Sequence, residues 1–180
     1  MPRLRFETAQ DLYETYPTAR GDVGVAASEQ GSLDFLRSLS DANAMKAALS
    51  FCAYLLARRE AVAWGCECLR QSEASRPADE IRIAAAEAWV NEPEERNRLR
   101  ALDLATRSDP REAATWTAFA AGWAGGMAPI DGKHSAPSPQ HATAQAIRVA
   151  LILGGNALPA ASRAEVQRSW LEGGMRFALA

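Results

Sequence analysis

Residues 45–69 read MKAALSFCAYLLARREAVAWGCECL. Met45, Ala48, Leu49, Cys52, Leu55 and Leu56 recur at spacings of three and four, the period of a helix with one buried stripe. The stripe gives way at Arg58-Arg59-Glu60, and a second apolar run follows: Val62, Trp64, Cys66, Cys68 and Leu69. That run covers much of a helix circumference, which predicts a central helix. The charged triplet between the runs has an electrostatic logic. Cations complement the carboxyl end of one helix dipole, and Glu60 complements the amino end of the next. Helices joined by so short a connection lie antiparallel, so the expected building unit is a helical hairpin.

The same pattern extends outward, and strand signals are nearly absent. Toward the amino terminus, Thr8 can cap a short helix that Pro17 stops, with Leu12 and Tyr16 on one face. Residues 18–30 read as a looser segment holding Gly21 and Gly24. Ser32 opens a helix carrying Leu33, Leu36 and Leu39, and Ser40 or Asp41 caps the next. Beyond the opening stretch, Pro77 suits the first turn of a helix with Ile81, Ala84, Ala85, Ala88 and Trp89 inward. The following helix is the most charged, with a thin apolar line of Leu99, Leu102 and Ala105. Asp109-Pro110 starts another, in which Ala113, Trp116, Ala120 and Trp123 turn two tryptophans to one side. Residues 125–138 form one long loop containing Gly125, Gly126, Pro129, Gly132, His134 and Pro137. Ser138-Pro139 opens a helix that Gly154-Gly155 ends, and a last helix begins near Ser162 and weakens at Gly173-Gly174. The prediction is an all-α single domain over 1–180, with about eight to nine short helices packed as antiparallel hairpins in a repeat-like stack. Arg59-Glu60-Ala61-Val62-Ala63-Trp64 and Arg111-Glu112-Ala113-Ala114-Thr115-Trp116 agree at four of six positions, which marks a candidate repeated unit.

Composition excludes several classes of function. The chain of 180 residues has 38 Ala, 18 Arg and 2 Lys, and 22 acidic side chains leave a formal charge of −2. A domain of this length buries roughly 70% of its unfolded surface, so its core needs no metal or disulfide staple. Near-neutral charge supplies no global field for nucleic acid or an anionic membrane. The amino terminus has Arg3 and Arg5 but no apolar core of a signal peptide. Ala113 to Ile130 approaches spanning length, yet it is mostly Ala and Gly, and Gly125-Gly126 and Pro129 interrupt it. Three cysteines, Cys52, Cys66 and Cys68, are too few and odd in number for a disulfide framework and fit a reducing cytoplasm.

Chemical motifs are sparse. Cys66 and Cys68 stand two apart on a helix and point about 200° away from each other, which separates their thiolates as metal ligands. His134 and His141 have no acidic residue nearby to complete a ligand set. No nucleophile elbow, Cys/His pattern or phosphate cradle occurs, and Glu60, Glu67 and Glu87 read as salt-bridging surface carboxylates. The sequence therefore indicates no catalytic set, metal or cofactor. Arg96, Arg98, Arg100, Arg107 and Arg111 interleave with acids between Glu92 and Glu112, which reads as a solvated face. Trp64, Trp89, Trp116, Trp123 and Trp170 fit as large side chains between alanine-lined helices. Trp123, just before the long loop, is the candidate partner anchor, since Trp and Arg are typical hot-spot residues. Met127 and Pro129 beside it and Arg58, Arg59 and Glu60 complete the candidate partner-binding set.

Phe6 to Pro17, Phe51 to Trp64, Ala86-Glu87-Ala88-Trp89-Val90, Thr115-Trp116, Gly122 to Pro129 and His141 to Ala146 resemble, in order, an uncharacterised bacterial helical domain family. The resemblance implies a setting beside type VI secretion components, including forkhead-associated and spike-type proteins. Members often carry a richer proline run than Ala136-Pro137-Ser138-Pro139, and the family supplies no catalytic residues. The expected function is a non-enzymatic adaptor or chaperone-like accessory whose partner is a secretion-system component or effector, with no nucleic acid and no membrane insertion. A homo-oligomer through an Ala-rich face is compatible with it. The alternative is a small-molecule binder or enzyme with a pocket between helices near Trp64, Trp116 and Cys66.

Overall fold

The computed structural model describes residues 4–72, 77–131 and 133–180, so residues 1–3, residues 73–76 and Gly132 of the long loop lie outside the described residues. Ten helices are found among them: α1 (Ala9–Thr15), α2 (Pro17–Val23), α3 (Ser32–Asp41), α4 (Met45–Leu55), α5 (Arg58–Arg70), α6 (Pro77–Asn91), α7 (Glu95–Thr106), α8 (Ala113–Gly122), α9 (Ala142–Ala157) and α10 (Arg163–Leu179). A small antiparallel hairpin, β1 (Met127–Pro129) and β2 (Ser135–Pro137), interrupts the 125–138 loop. The helices pack on one another as a mostly helical domain. Among the described residues no helix is long and apolar enough to cross a membrane.

α5 is central as expected, but α4 and α5 meet at little more than their junction and do not form the expected antiparallel hairpin; each packs instead on α9 and α10. Every residue from Ala47 to Leu55 is buried, and α5 buries Ala61, Val62, Trp64, Gly65, Cys66, Cys68 and Leu69. α9 lies across both and also against α8, which in turn touches α5, α6 and α7. Close approach depends on small residues. A Cβ on Gly65 would stand 2.6 Å from Ile147 Cδ1, and one on Gly154 would stand 2.6 Å from Leu69 Cδ2. Gly154-Gly155 therefore does not end its helix. α9 runs on to Ala157, because contact with α5 and α10 outweighs the poor helix propensity of glycine. Gly173-Gly174 likewise lies inside α10, against Trp64.

Other boundaries also differ from expectation. Pro17 starts a helix as well as following one: it occupies the first turn of α2, where its missing N–H costs nothing. Residues 18–23 are thus helical, and Gly24 closes α2 at φ 72°. Ser40 and Asp41 belong to α3, and α4 begins only after Asn43 at φ 57°. Thr8 does cap α1, its hydroxyl accepting from the Asp11 N–H while Asp11 accepts from Thr8.

The inward faces of α6 and α7 hold at Ala85, Trp89, Leu102 and Ala105 but not at Ile81, Ala84 and Leu99. Ile81 is 57% exposed and Leu99 is 47% exposed, whereas Arg82 and Arg98 are each only 4% exposed. Arg82 donates to Thr115 Oγ1 (3.0 Å) and Asp79 Oδ1 (2.8 Å) and pairs with Glu112 Oε2 (2.5 Å). A buried guanidinium needs carboxylates and carbonyls around it, and here the first turn of each helix and the neighbouring α8 supply them.

Candidate functional site

The residues singled out from sequence fall on three neighbouring elements: the first turn of α5, the end of α8, and β1. Arg58 and Arg59 are the first two residues of α5. Arg59 does not complement the carboxyl end of α4. Its Nε donates 2.7 Å to the carbonyl of Val90, in the last turn of α6, so the expected dipole interaction is made with a different helix. Glu60, half-buried, places a carboxylate in the first turn of α5, the favourable sign for that end.

Gly125 and Gly126 turn the chain out of α8 at φ 138° and 64°, a left-handed path open to glycine. Arg98 lies flat against this turn. Its Nη1 donates to the Gly122 carbonyl (2.5 Å), the last of α8, and its Nη2 to the Met127 carbonyl (3.1 Å). Glu95 accepts from Arg98 Nε and Nη2 at 2.7 and 2.6 Å, and this guanidinium holds the Glu95 carboxyl below its ordinary value. A Cβ on Gly126 would stand 2.8 Å from Arg98 Nη2, and one on Gly125 would stand 3.8 Å from Arg58 Nη1. The turn is thus flanked by two arginines from different helices, which brings Arg58 beside the segment leading to Met127 and Pro129.

The hairpin pairs Met127 with Pro137, Ala128 with Ala136 and Pro129 with Ser135. Opposed residues share a face, so Met127, Pro129, Ser135 and Pro137 lie on one side, all exposed, with Ala128 and Ala136 half-buried on the other. Met127 is 49% exposed and Ile130, next along, is 69% exposed. The tip is ordered by Asp131, whose Oδ1 accepts from the Lys133 and His134 N–H groups at 2.8 Å each and whose Oδ2 lies 2.9 Å from His134 Nδ1. His134 thus has an acidic neighbour, contrary to expectation, and it and these two N–H groups hold the Asp131 carboxyl below its ordinary value.

Trp123 caps α8 and is half-buried, stacked on Phe119 with ring centroids 4.6 Å apart. Trp116 meets Trp123 edge-on at 6.2 Å and donates from Nε1 to the Pro110 carbonyl (2.7 Å). Trp116, Phe119 and Trp123 form a half-exposed stripe on the side of α8 away from its buried Ala114, Ala118 and Ala121. The other tryptophans are core: Trp64 and Trp170 are fully buried, Trp64 Nε1 donating to the Trp170 carbonyl, and Trp89 is nearly so. Trp64 and Trp116, the matched ends of the candidate repeat, thus occupy unlike environments.

Trp64, Trp116 and Cys66 do not come together around a cavity: Trp64 and Cys66 are packed within the core, while Trp116 faces outward. A cleft of about 1020 Å³ lies instead where α9 passes into α10, lined by Leu69, Ile83, Leu153, Leu158 and Val166 with Arg111 and Glu112 at its edge. Cys52, Cys66 and Cys68 are buried, and burial pushes all three thiols up.

Arg98 is the residue of this site that sequence reading placed wrongly, on a solvated face. Its acidic partner three residues earlier was visible, but the Gly122 and Met127 carbonyls were not.

The chain matched none of the curated proteins and none of the solved structures with which it was compared. Residues 35–178 match a family of unknown function, DUF6931. The match begins within α3, yet α1 and α2 share the same core: Tyr13 packs on Phe35 and Phe51, and Asp22 accepts from Tyr54 (2.5 Å) and Gln145 (3.2 Å). This helical chain, with its arginine-clamped hairpin, belongs to the DUF6931 family.

Proposed function

We propose that the chain is a non-enzymatic protein–protein interaction module, an adaptor or chaperone-like accessory, and that it works beside a type VI secretion apparatus. The observation that carries the reading is the convergence of two segments distant in sequence. Arg58 lies against the Gly125-Gly126 turn, and that turn presents Met127, Pro129 and Ile130 to solvent on a hairpin clamped by a buried arginine. A rigidly held apolar face gives a partner area at little ordering cost. The half-exposed Trp116, Phe119 and Trp123 stripe adds aromatic groups of the kind that dominate binding energy. The secretion setting rests on the family resemblance alone.

The test is a photo-crosslinking residue at Met127 in the full chain, expressed in the native bacterium, with crosslinked proteins identified by mass spectrometry. A secretion-system component should be recovered, and its recovery should fall with Trp123→Ala. Trp123→Ala should weaken partner binding more than it lowers the melting temperature. Recovery of no secretion-system component would count against the setting, and the reverse order of effects would assign Trp123 to the core.

A further inference from the structure

The hairpin offers its face and not its edges. Ser138 N–H donates to the Gly126 carbonyl (3.0 Å) and Ile130 N–H to the His134 carbonyl (2.9 Å). Alternation along an antiparallel ladder then turns the Ala128 amide groups toward β2 and those of Met127 and Pro129 outward. On that edge the Met127 carbonyl is taken by Arg98, and Pro129 has no N–H. The outer edge of β2 is interrupted by Pro137 in the same way. Prolines at these positions disfavour addition of a further strand, so a partner must engage side chains.

A cation without a carboxylate partner stands near each end of that face. At its base Arg58 is half-buried, and among the described residues it has no hydrogen bond or ion pair, while Arg59 and Arg98 beside it are taken by carbonyls and Glu95. A guanidinium with five donors, partly withdrawn from water, is a strong unpaired site for a carboxylate. At the tip the Lys133 ammonium is exposed and likewise unpaired among the described residues, while the exposed Asp131 carboxylate is engaged by His134 and two backbone N–H groups. Along the hairpin, Met127, Pro129 and Pro137 lie between Gly125, which Arg58 flanks, and Lys133.

Resting on the reading of this face as a docking surface, we infer that its partner is a protein segment in which apolar side chains are flanked by carboxylates. The apolar residues cover Met127 and Pro129, one carboxylate pairs with Arg58, and a second approaches Lys133.

A phage-displayed library of random 12-residue peptides, selected on the full chain, tests this. Selected peptides should place Asp or Glu beside Leu, Ile, Met or aromatic residues. A synthetic selected peptide should lose about tenfold or more in affinity on Arg58→Gln, the loss of one charge-assisted hydrogen-bonded pair. Lys133→Ser, at the exposed tip where folding is not at stake, should give a smaller loss, and both losses should shrink as salt rises. Circular dichroism of each variant verifies that it is folded. A basic or uncharged consensus, or an affinity indifferent to both Arg58→Gln and Lys133→Ser, overturns the inference. If such peptides still lose affinity on Met127→Ser, the face stands as a docking surface and only the acidic partner is refuted. If Met127→Ser also has no effect, or no peptide is selected, the docking reading fails with it.

Discussion

Arg98→Met keeps an unbranched, mostly apolar stem, two atoms shorter, and removes every donor. Four hydrogen bonds disappear: to the carbonyls of Gly122 and Met127, and two to Glu95. The Glu95 side chain is 62% exposed, so water replaces most of what that pair supplies. The Gly122 bond is buried, and stripping a buried acceptor of its donor costs about 1–3 kcal/mol. The Met127 carbonyl is part-buried and adds a smaller amount, while the thioether recovers some packing. The net loss is about 2–3 kcal/mol. In a chain of this size each kcal/mol moves the melting temperature roughly 2–4 °C, so the variant should melt about 4–12 °C below the parent. Thermal unfolding followed by circular dichroism measures this, with Arg96→Met and Arg100→Met as controls. Both control positions are exposed, and their variants should stay within about 0.5 kcal/mol of the parent. Amide hydrogen exchange should quicken in residues 123–138 more than in α9, because the clamp holds that segment and not the core. Acid adds a second check. The Glu95 carboxyl is lowered in the folded protein, chiefly by its hydrogen bonds to Arg98. Its contribution is therefore present above the ordinary value of 4.5 and fades as pH falls through the lowered one. The gap between parent and Arg98→Met should narrow on that acid side. A variant that melts with the controls, with unchanged exchange in the hairpin, would show that Arg98 is a surface charge and that the hairpin is held by something else.

Gly126→Ala should cost more than an ordinary surface substitution, about 2 kcal/mol, since φ 64° is strained for alanine and its Cβ would displace the Arg98 guanidinium. Thermal unfolding reads this, and combining Gly126→Ala with Arg98→Met should give less than the sum of the two losses, because both break one contact. A strictly additive result would separate them. Native protein should give almost no reaction with a thiol-titrating disulfide reagent at pH 8, and all three cysteines should react in denaturant, because burial raises each thiol and blocks access. Rapid native labelling of any one of them would contradict the packing of α4, α5 and α10.

Helix period was enough to find α4 and α5 and the junction carrying Arg58, because an apolar stripe is a local property of the chain. In α6 and α7 it placed Ala85, Trp89, Leu102 and Ala105 rightly and Ile81 and Leu99 wrongly, the latter two for one shared reason. Hydrophobicity turned Ile81 and Leu99 inward, while the folded chain buries Arg82 and Arg98, each paired with an acid three residues earlier, Asp79 and Glu95. That spacing does not by itself announce burial: Asp34 and Arg37 have it too, and both are exposed. What separates the buried pairs is a third party, the Thr115 hydroxyl and Glu112 for Arg82 and the Gly122 carbonyl for Arg98, all contributed by α8 or the residue before it. The hairpin was invisible for a related reason. Its strands are three residues each and contain prolines, so pairing depends on the Asp131 tip and on an arginine from another helix. The candidate site was legible as residues but not as a constellation. The arginine that read as part of a solvated face clamps the fold, and the one that read as a helix-end charge, Arg58, is left unpaired beside the exposed apolar residues. A charge spent on holding a fold is unavailable to a partner, so it is at Arg58 that a binding defect without a folding defect is expected.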